Sequence, residues 1–424
     1  MPIVPITTLG ERLIASPVPH CVSDGVRVPV DIRWQDGLPP EAPMLFEQAG
    51  PRKTLYFEPE KTCAGIVTCG GLSPGLNNVI RSLFLQLYHG YGVRNILGFR
   101  GGYVGLDPAR GEAPLVLNLD IVENIHKHGG TILNTSRGPV DIPTAVDNLI
   151  RLGVDILFTV GGDGTQRGSQ ELFQEARRRG HPLSVIGIPK TIDNDVPFVS
   201  RTFGYATALE QACIVIDRAH TEAHCVKNGI SVVKLMGRTA GFIAVGATLA
   251  SQDVNFCLIP EVPFVLDGPD GFLAALKRRV LARAHAVIVV AEGAGQSLMA
   301  EAGAGRDASG NAKLKDIGPF LRDRIEAYFK TEGVPAVMRY IDPSYLVRSC
   351  PANPEDAIQC DLFARHAVHA AMSGRTGMVI GFVNDHFVHV PIDLLGTQKK
   401  QVNPDGSEWR AVLACTGQPA RMVA

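Results

Sequence analysis

From Ala64 onward, short apolar, β-branched runs alternate with longer amphipathic stretches. The runs are Ala64–Cys69, Asn95–Phe99, Asp155–Val160, Ser184–Ile188, Ile230–Leu235, Val254–Ile259, Ala286–Ala291 and Met378–Val383. Each is short and rich in Val, Ile and Leu, the pattern of a strand covered on both faces. Between them, apolar residues recur at helical spacing near 76–89, 141–152, 168–179, 204–225, 240–251, 269–283, 313–330 and 355–373. This alternation predicts an α/β protein with mainly parallel, doubly wound sheets and flanking helices. Residues 1–58 are rich in proline and show little periodicity, which predicts an N-terminal extension that covers the body without a core of its own. Residues 301–312, rich in Gly, Ala, Asp and Ser, read as an exposed loop. No internal repeat is evident.

Three polar segments interrupt the pattern just after predicted strands, at the edge where doubly wound folds bind ligands. The first is Cys69-Gly70-Gly71-Leu72-Ser73-Pro74-Gly75-Leu76-Asn77. Its glycines let backbone N–H groups approach an anion, and the following helix adds a partial positive charge. A strand-to-helix turn also needs glycine for geometry alone, so this segment by itself is a weak signal. The second is Gly161-Gly162-Asp163-Gly164-Thr165. An acidic residue aimed at a phosphate is costly unless a metal lies between them, so Asp163 reads as a magnesium-organising carboxylate. A plain Asx turn or helix cap is the alternative. The third is Pro189-Lys190-Thr191-Ile192-Asp193-Asn194-Asp195. Two carboxylates beside a lysine and a hydroxyl suit proton removal next to bound phosphates better than they suit a core strand. A polar capping loop would use the same residue types.

Composition narrows the reading. The chain has 424 residues, 45% apolar, enough for two or three domains. Its 41 Lys and Arg nearly cancel 42 Asp and Glu, which argues against a nucleic-acid binder acting through a basic surface. Nine cysteines, an odd number with no C-x-x-C pair, fit reduced thiols better than disulfides or a zinc site. No apolar run approaches the roughly 18 residues of a membrane span, and no charged-then-apolar leader pattern is seen. A soluble, cytoplasmic protein is expected.

Taken in this order and spacing, the three segments resemble the 6-phosphofructokinase family, over roughly residues 60–395. Met236-Gly237-Arg238, Glu292 after the run Ala286–Ala291, and Arg339 followed by Tyr345-Leu346-Val347-Arg348 add to the match. Gly164-Thr165-Gln166-Arg167-Gly168, Lys190 and Tyr340-Ile341-Asp342-Pro343-Ser344-Tyr345 are similar to its atypical ATP-dependent branch, which groups with the pyrophosphate-dependent enzymes. The resemblance implies Mg-ATP-dependent phosphorylation of fructose 6-phosphate at the 1-hydroxyl, a step of glycolysis.

Asp193 would then be the base, Thr191 and Lys190 would sit against the transferred group, and Arg238 would reach the sugar or the moving phosphoryl. Asp163 would organise magnesium. Arg339 and Arg348 would hold the 6-phosphate, while Glu292, Met236, Gly237, Ile192, Tyr345, Leu346 and Val347 would complete the sugar site. ATP would lie near Gly70, Gly71, Arg137, Gly138, Gly162, Asp163, Gly164 and Thr165. The resemblance also implies a nucleotide-binding domain over 59–203 plus about 346–395, and a sugar-phosphate domain over about 204–345 plus 396–424. It implies an allosteric homo-oligomer, a tetramer or a dimer.

Pyrophosphate-dependent relatives typically carry aspartate where this chain has Gly164, which would crowd and repel the α-phosphate and nucleoside of ATP. Glycine therefore points to ATP. Lys190, shared with the pyrophosphate enzymes, points the other way, so pyrophosphate stands as the alternative donor. Two departures separate the chain from many bacterial members. Gly229 replaces an arginine that reaches a neighbouring subunit, and Tyr345 replaces a histidine. Both put transfer of the common bacterial effector site in doubt. A non-catalytic sugar-phosphate sensor would need neither Asp163 nor Asp193, and a dinucleotide kinase would not need Arg339 and Arg348.

Four further features suggest no chemistry. His220 and His224, four apart on a predicted helix, show no third ligand and read as an ordinary polar face. His126 and His128 read as turn residues, and Arg177-Arg178-Arg179 as a solvated helix end. His386 and His389 fall in a short strand pattern with no clear role.

Overall fold

The computed structural model describes residues 2–36, 38, 40, 44–299, 305, 313–396 and 399–423. The expected loop over 301–312 thus lies outside the described residues, apart from Gly305. The strands are β1 Ile14–Ala15, β2 Arg27–Pro29, β3 Leu45–Gln48, β4 Thr54–Leu55, β5 Cys63–Thr68, β6 Asn95–Phe99, β7 Leu115–Val116 and β8 Ile156–Gly161. They continue as β9 Ser184–Pro189, β10 Gly229–Leu235, β11 Phe256–Leu258, β12 His285–Ala291, β13 Val337–Ile341, β14 Met378–Val383 and β15 His386–Pro391. The α-helices are α1 Leu76–Leu85, α2 Leu119–Val122, α3 Ile142–Arg151, α4 Asp163–Arg178, α5 Tyr205–His224, α6 Phe242–Ser251, α7 Phe272–Arg283, α8 Ile317–Thr331, α9 Pro354–Met372 and α10 Ser407–Thr416.

Two main sheets result. The larger runs β2-β3-β15-β14-β9-β8-β5-β6-β7. Its centre, β14, β9, β8, β5 and β6, is parallel, and antiparallel strands close both sides. The smaller runs β11-β12-β10-β13 and is parallel throughout. Amphipathic helices cover both faces of each sheet, so strands such as β5, β8 and β9 are buried at every position. The double burial explains why these strands read as continuous apolar runs. The α/β, doubly wound architecture expected from the alternation is the one observed. After the smaller sheet the chain returns: α9 packs on α1 against the larger sheet, and Trp409 and Val412 of α10 join the core of the smaller one. No described helix is long and apolar enough to cross a membrane.

The structure differs from the sequence reading in three places. α4 begins at Asp163, not near 168. The Thr165 and Gln166 amides donate to the Gly162 carbonyl at 2.9 and 3.0 Å, and the Tyr103 hydroxyl donates to the Thr165 carbonyl at 2.6 Å. These bonds offset the weak helix propensity of the glycines. The ring of His285 lies against both His220 and His224, a contact that their helical spacing does not reveal. His389, without a role in the sequence, is fully buried beside Glu47. Glu47 also accepts from Arg52 Nη2 and from Arg375 Nε, each at 2.8 Å, so β3 is clasped to the far end of the chain by a buried ion network.

Candidate active site

The three polar segments meet in one cleft because each follows the C-terminal end of a parallel strand, and β5, β8 and β9 are neighbours. In the first, Gly70 and Gly75 take left-handed φ values of +84° and +100°, and the chain turns sharply from β5 into α1. A β-carbon on Gly71 would lie 3.3 Å from Arg137 Nη2 and 3.8 Å from Arg348 Nη1, and one on Gly70 would lie 3.5 Å from Lys190 Nζ. Three cations from three distant segments therefore crowd this glycine turn. Arg137 and Gly138 are brought there by backbone pairing of Gly70 N–H with the Ser136 carbonyl at 3.0 Å, and by the Thr135 hydroxyl on the Gly70 carbonyl at 2.8 Å.

The second segment places Asp163 and Gly164, both solvent-exposed, in the first turn of α4. Backbone N–H groups and the helix dipole there favour an anion, whereas Asp163 favours a cation. The third segment leaves β9 with its Lys190 amide bonded to the Gly161 carbonyl at 3.1 Å, which fixes it beside the second. The Thr191 hydroxyl accepts from the Asp193 amide at 3.0 Å. Lys190 is buried, and its ammonium donates to the Gly71 carbonyl. Burial pushes its pKa down to about 8.

Asp193 shows the strongest electrostatic signature. Its Oδ1 is enclosed and has no hydrogen-bond partner. Burial, then the charges of Asp195 and Glu292, raise its pKa to about 8, against the pull of Arg238 and Lys190. Asp195 is raised as well, by burial and by the charge of Asp163. An unpaired buried acceptor with a pKa near the working pH, in a cleft, is the profile of a general base.

The smaller sheet supplies the opposite wall. Arg238 follows β10 with φ +41°, a conformation unusual for a side-chain-bearing residue. Its amide donates to Glu292 Oε1 at 3.0 Å, and the Glu292 amide donates to the Leu235 carbonyl at 2.9 Å. A β-carbon on Gly293 would stand 1.6 Å from the Arg238 carbonyl oxygen, so that contact requires glycine. Glu292 acts on the cleft through Arg238.

The resulting cleft has a volume of about 600 Å³, within the range of small-molecule sites. It is lined by Gly70, Gly71, Arg137, Gly138, Gly162, Asp163, Gly164, Thr165, Lys190, Thr191, Ile192, Asp193, Met236, Arg238 and Arg348 of the expected site. Gly237, Glu292, Arg339, Tyr345, Leu346 and Val347 do not line it. Val347 is core, whereas Tyr345 and Leu346 are exposed, and the Tyr345 ring lies 5.0 Å under the Arg348 guanidinium. Arg339 sits on edge strand β13, half-exposed and 3.8 Å from Glu222.

Sequence reasoning missed Lys399 and Glu171 and gave Arg167 no role, although all three line the cleft. The Lys399-Lys400 pair was the available signal. The Lys400 amide donates to the Asp195 carbonyl at 3.2 Å, which draws Lys399 to the site from near the C-terminus. With Arg137, Arg167, Lys190, Arg238, Arg348 and Lys399 against Asp163, Glu171, Asp193 and Asp195, the cleft is net basic and suits polyanions.

Residues 63–371 match the family model described as phosphofructokinase. The chain is 48% identical over 385 residues to an ATP-dependent 6-phosphofructokinase of Borreliella burgdorferi, covering 89% of this chain and 86% of the relative. It is likewise 48% identical to the enzyme of that name from Amycolatopsis methanolica, covering 95% and 90%, and 45% identical to that of Trypanosoma cruzi, covering 91% and 80%. Among solved structures, a pyrophosphate-dependent phosphofructokinase from Marinobacter aquaeolei superposes with a TM-score of 0.68 at 19% identity, covering 83% of this chain and 91% of the other. At that identity the likeness concerns the fold alone.

Proposed function

The chain belongs to the phosphofructokinase family, and we propose that it transfers the terminal phosphoryl group of ATP to the 1-hydroxyl of fructose 6-phosphate, yielding fructose 1,6-bisphosphate and ADP. The observation that carries the chemistry is Asp193: an enclosed, unpaired carboxylate oxygen in a basic cleft. Asp193 takes the proton of the attacking hydroxyl. Lys190 and Thr191 flank the transferred group, and Arg238, held by Glu292, balances its charge. Such a transfer depends on positioning and electrostatics more than on covalent chemistry. Arg348, braced by Tyr345, holds the 6-phosphate, with Ile192 and Met236 beside the sugar and Glu292 acting on it through Arg238. Gly70, Gly71, Arg137, Gly138, Gly162, Gly164 and Thr165 cradle the nucleotide.

Asp163 and Asp195 suit a magnesium ion, being two mutually repelling carboxylates at the phosphate end of the cleft. Bound there, the ion would neutralise charge on the donor phosphates. ATP is favoured over pyrophosphate as donor, because relatives 44–48% identical carry ATP in their names and because Gly164 leaves the helix N-terminus free of a second carboxylate. The larger sheet with α9 forms the nucleotide-binding domain, the smaller sheet with α10 the sugar-phosphate domain, and residues 1–58 an extension on the larger sheet.

Arg339 does not line its own cleft and is half-exposed, so we assign it to the 6-phosphate of a neighbouring subunit in a cytoplasmic homo-oligomer, a tetramer or a dimer, open to allosteric control. Product analysis tests the proposal: one fructose 1,6-bisphosphate should form per ADP, strictly dependent on fructose 6-phosphate. ADP release independent of the sugar phosphate would overturn it.

A further inference from the structure

Residues 399–402 link both walls of the catalytic cleft. On the side of the larger sheet, the Lys400 amide donates to the Asp195 carbonyl at 3.2 Å. The Lys400 ammonium donates to the Val199 and Ser200 carbonyls at 2.9 and 2.8 Å. On the side of the smaller sheet, Gln401 Nε2 donates to the carbonyl of Thr239, the residue after Arg238, at 3.1 Å. The Val402 amide donates to Glu261 Oε1 at 2.9 Å, and the same oxygen accepts from the Gly241 amide at 2.8 Å. Val402 is buried in the core of the smaller sheet. The Lys400 ammonium also stands 5.1 Å from the ring centre of Phe242, the first residue of α6. Hydrogen bonds from an ionised donor are stronger than neutral ones, and an aromatic face adds to them. This short strap therefore has a fixed course between the loop after Asp195 and the turn after Arg238.

Lys399 is the residue that the strap delivers to the site. It lines the cleft together with Asp163, Arg167 and Asp195, and these four residues also line a smaller adjoining cavity of about 230 Å³. Met236 and Arg238 line the cleft but not that cavity. Lys399 thus stands at the end of the cleft bounded by the start of α4, away from the sugar side. Burial and then the charge of Asp163 raise the pKa of Asp195, and the charge of Lys399 is among those that pull it back. Two carboxylates at this end repel a polyphosphate. An ammonium beside them offsets that repulsion and donates to phosphate oxygens, and the solvent-exposed side chain of Lys399 has the reach to do so.

We propose that Lys399 is a further binding residue for the phosphates of the donor, and that Lys400 is the positioning residue that holds it there. The assignment rests on reading the cleft as a kinase site. The strap comes from near the end of the chain, so a segment beyond both sheets completes the donor subsite.

The test is calorimetry of the full-length protein with the magnesium complex of β,γ-methylene-ATP, whose terminal phosphoryl group cannot be transferred, beside steady-state kinetics with ATP. Lys399→Gln should weaken binding of the analogue about tenfold and raise the KM for ATP to match, with smaller changes in kcat and in the KM for fructose 6-phosphate. Lys399→Arg, which keeps the charge, should keep most of the affinity. Lys400→Met keeps the stem and removes the ammonium. It should weaken binding too, and the double variant should bind about as well as Lys399→Gln alone, because the two residues act as one unit. Additive losses would overturn the positioning role of Lys400. Analogue affinity in Lys399→Gln within about twofold of the wild type would overturn the proposal as a whole. Lys399 is exposed, so that variant decides the matter even if Lys400→Met folds poorly. Binding of the analogue needs no turnover. Loss of affinity in Lys399→Gln would therefore support the donor subsite even if fructose 6-phosphate were not phosphorylated, a result that would contradict only the proposed reaction.

Discussion

Replacing Asp193 by asparagine should lower turnover while making the protein more stable. The substitution keeps the shape of the side chain and removes its charge and its ability to take a proton. Loss of a general base costs roughly 10²–10⁴ in kcat, or about 2.7–5.4 kcal/mol of transition-state stabilisation. The gain in stability follows from the pKa. Folding raises the Asp193 carboxyl from about 3.9 in the unfolded chain to about 8, through burial and then the charges of Asp195 and Glu292. A carboxyl raised on folding leaves stability unaffected below about pH 4 and lowers it steadily as pH rises to about 8. The asparagine variant escapes that loss. After discounting for solvent in the open cleft, the gain is about 1–2 kcal/mol at pH 8.

Two assays check this prediction. Steady-state kinetics should show the fall in kcat with a smaller change in the KM for fructose 6-phosphate. Thermal unfolding of both proteins without ligands should give equal Tm at pH 4 and a gap that widens toward pH 8. The wild type should show kcat/KM highest near pH 8. It should fall on the acid side as Asp193 is protonated, and on the basic side as Lys190, lowered to about 8, loses its charge. A variant that keeps more than a tenth of kcat, or one that is less stable at pH 8, would refute the reasoning.

Three further outcomes follow from the same geometry. Arg348→Ala removes charge-assisted hydrogen bonds to the 6-phosphate, so the KM for fructose 6-phosphate should rise about 10- to 100-fold with less effect on kcat; an unchanged KM would contradict the pocket. Gly164→Asp puts a carboxylate in the first turn of α4, and kcat/KM for ATP should fall at least about tenfold, as measured by varying ATP at saturating sugar phosphate. Glu47→Ala leaves Arg52 and Arg375 buried without their shared carboxylate, which should cost about 3–5 kcal/mol in denaturant unfolding; a loss under 1 kcal/mol would show that the clasp contributes little.

Much of the cleft was legible in the sequence because its residues cluster in short segments just after strands. Gly70, Asp163 and Asp193 each follow a buried apolar run, and parallel pairing brings such edges together. The parts that stayed hidden depend on contacts between distant positions. β2 and β3 lie in a proline-rich stretch without alternation, and β15, the partner of β3, comes about 340 positions later in the chain. Periodicity carries no information about such pairing. The start of α4 was misread because Asp163–Gly168 has the composition of a turn, and the Tyr103 bond that supports it as helix comes from 62 residues away. Lys399 reaches the site only through the backbone of Lys400, and His285 meets α5 only because β12 pairs beside β10. Glu292 was found by its position after β12, yet its bond to the Arg238 amide could not be read from spacing.

The phosphoryl donor distinguishes the two forms of the reaction that this cleft could carry out. The purified chain should be assayed with fructose 6-phosphate and magnesium, using ATP and pyrophosphate in parallel at equal concentration. Fructose 1,6-bisphosphate should form with ATP, and little or none with pyrophosphate. Turnover with pyrophosphate alone would contradict ATP as the donor.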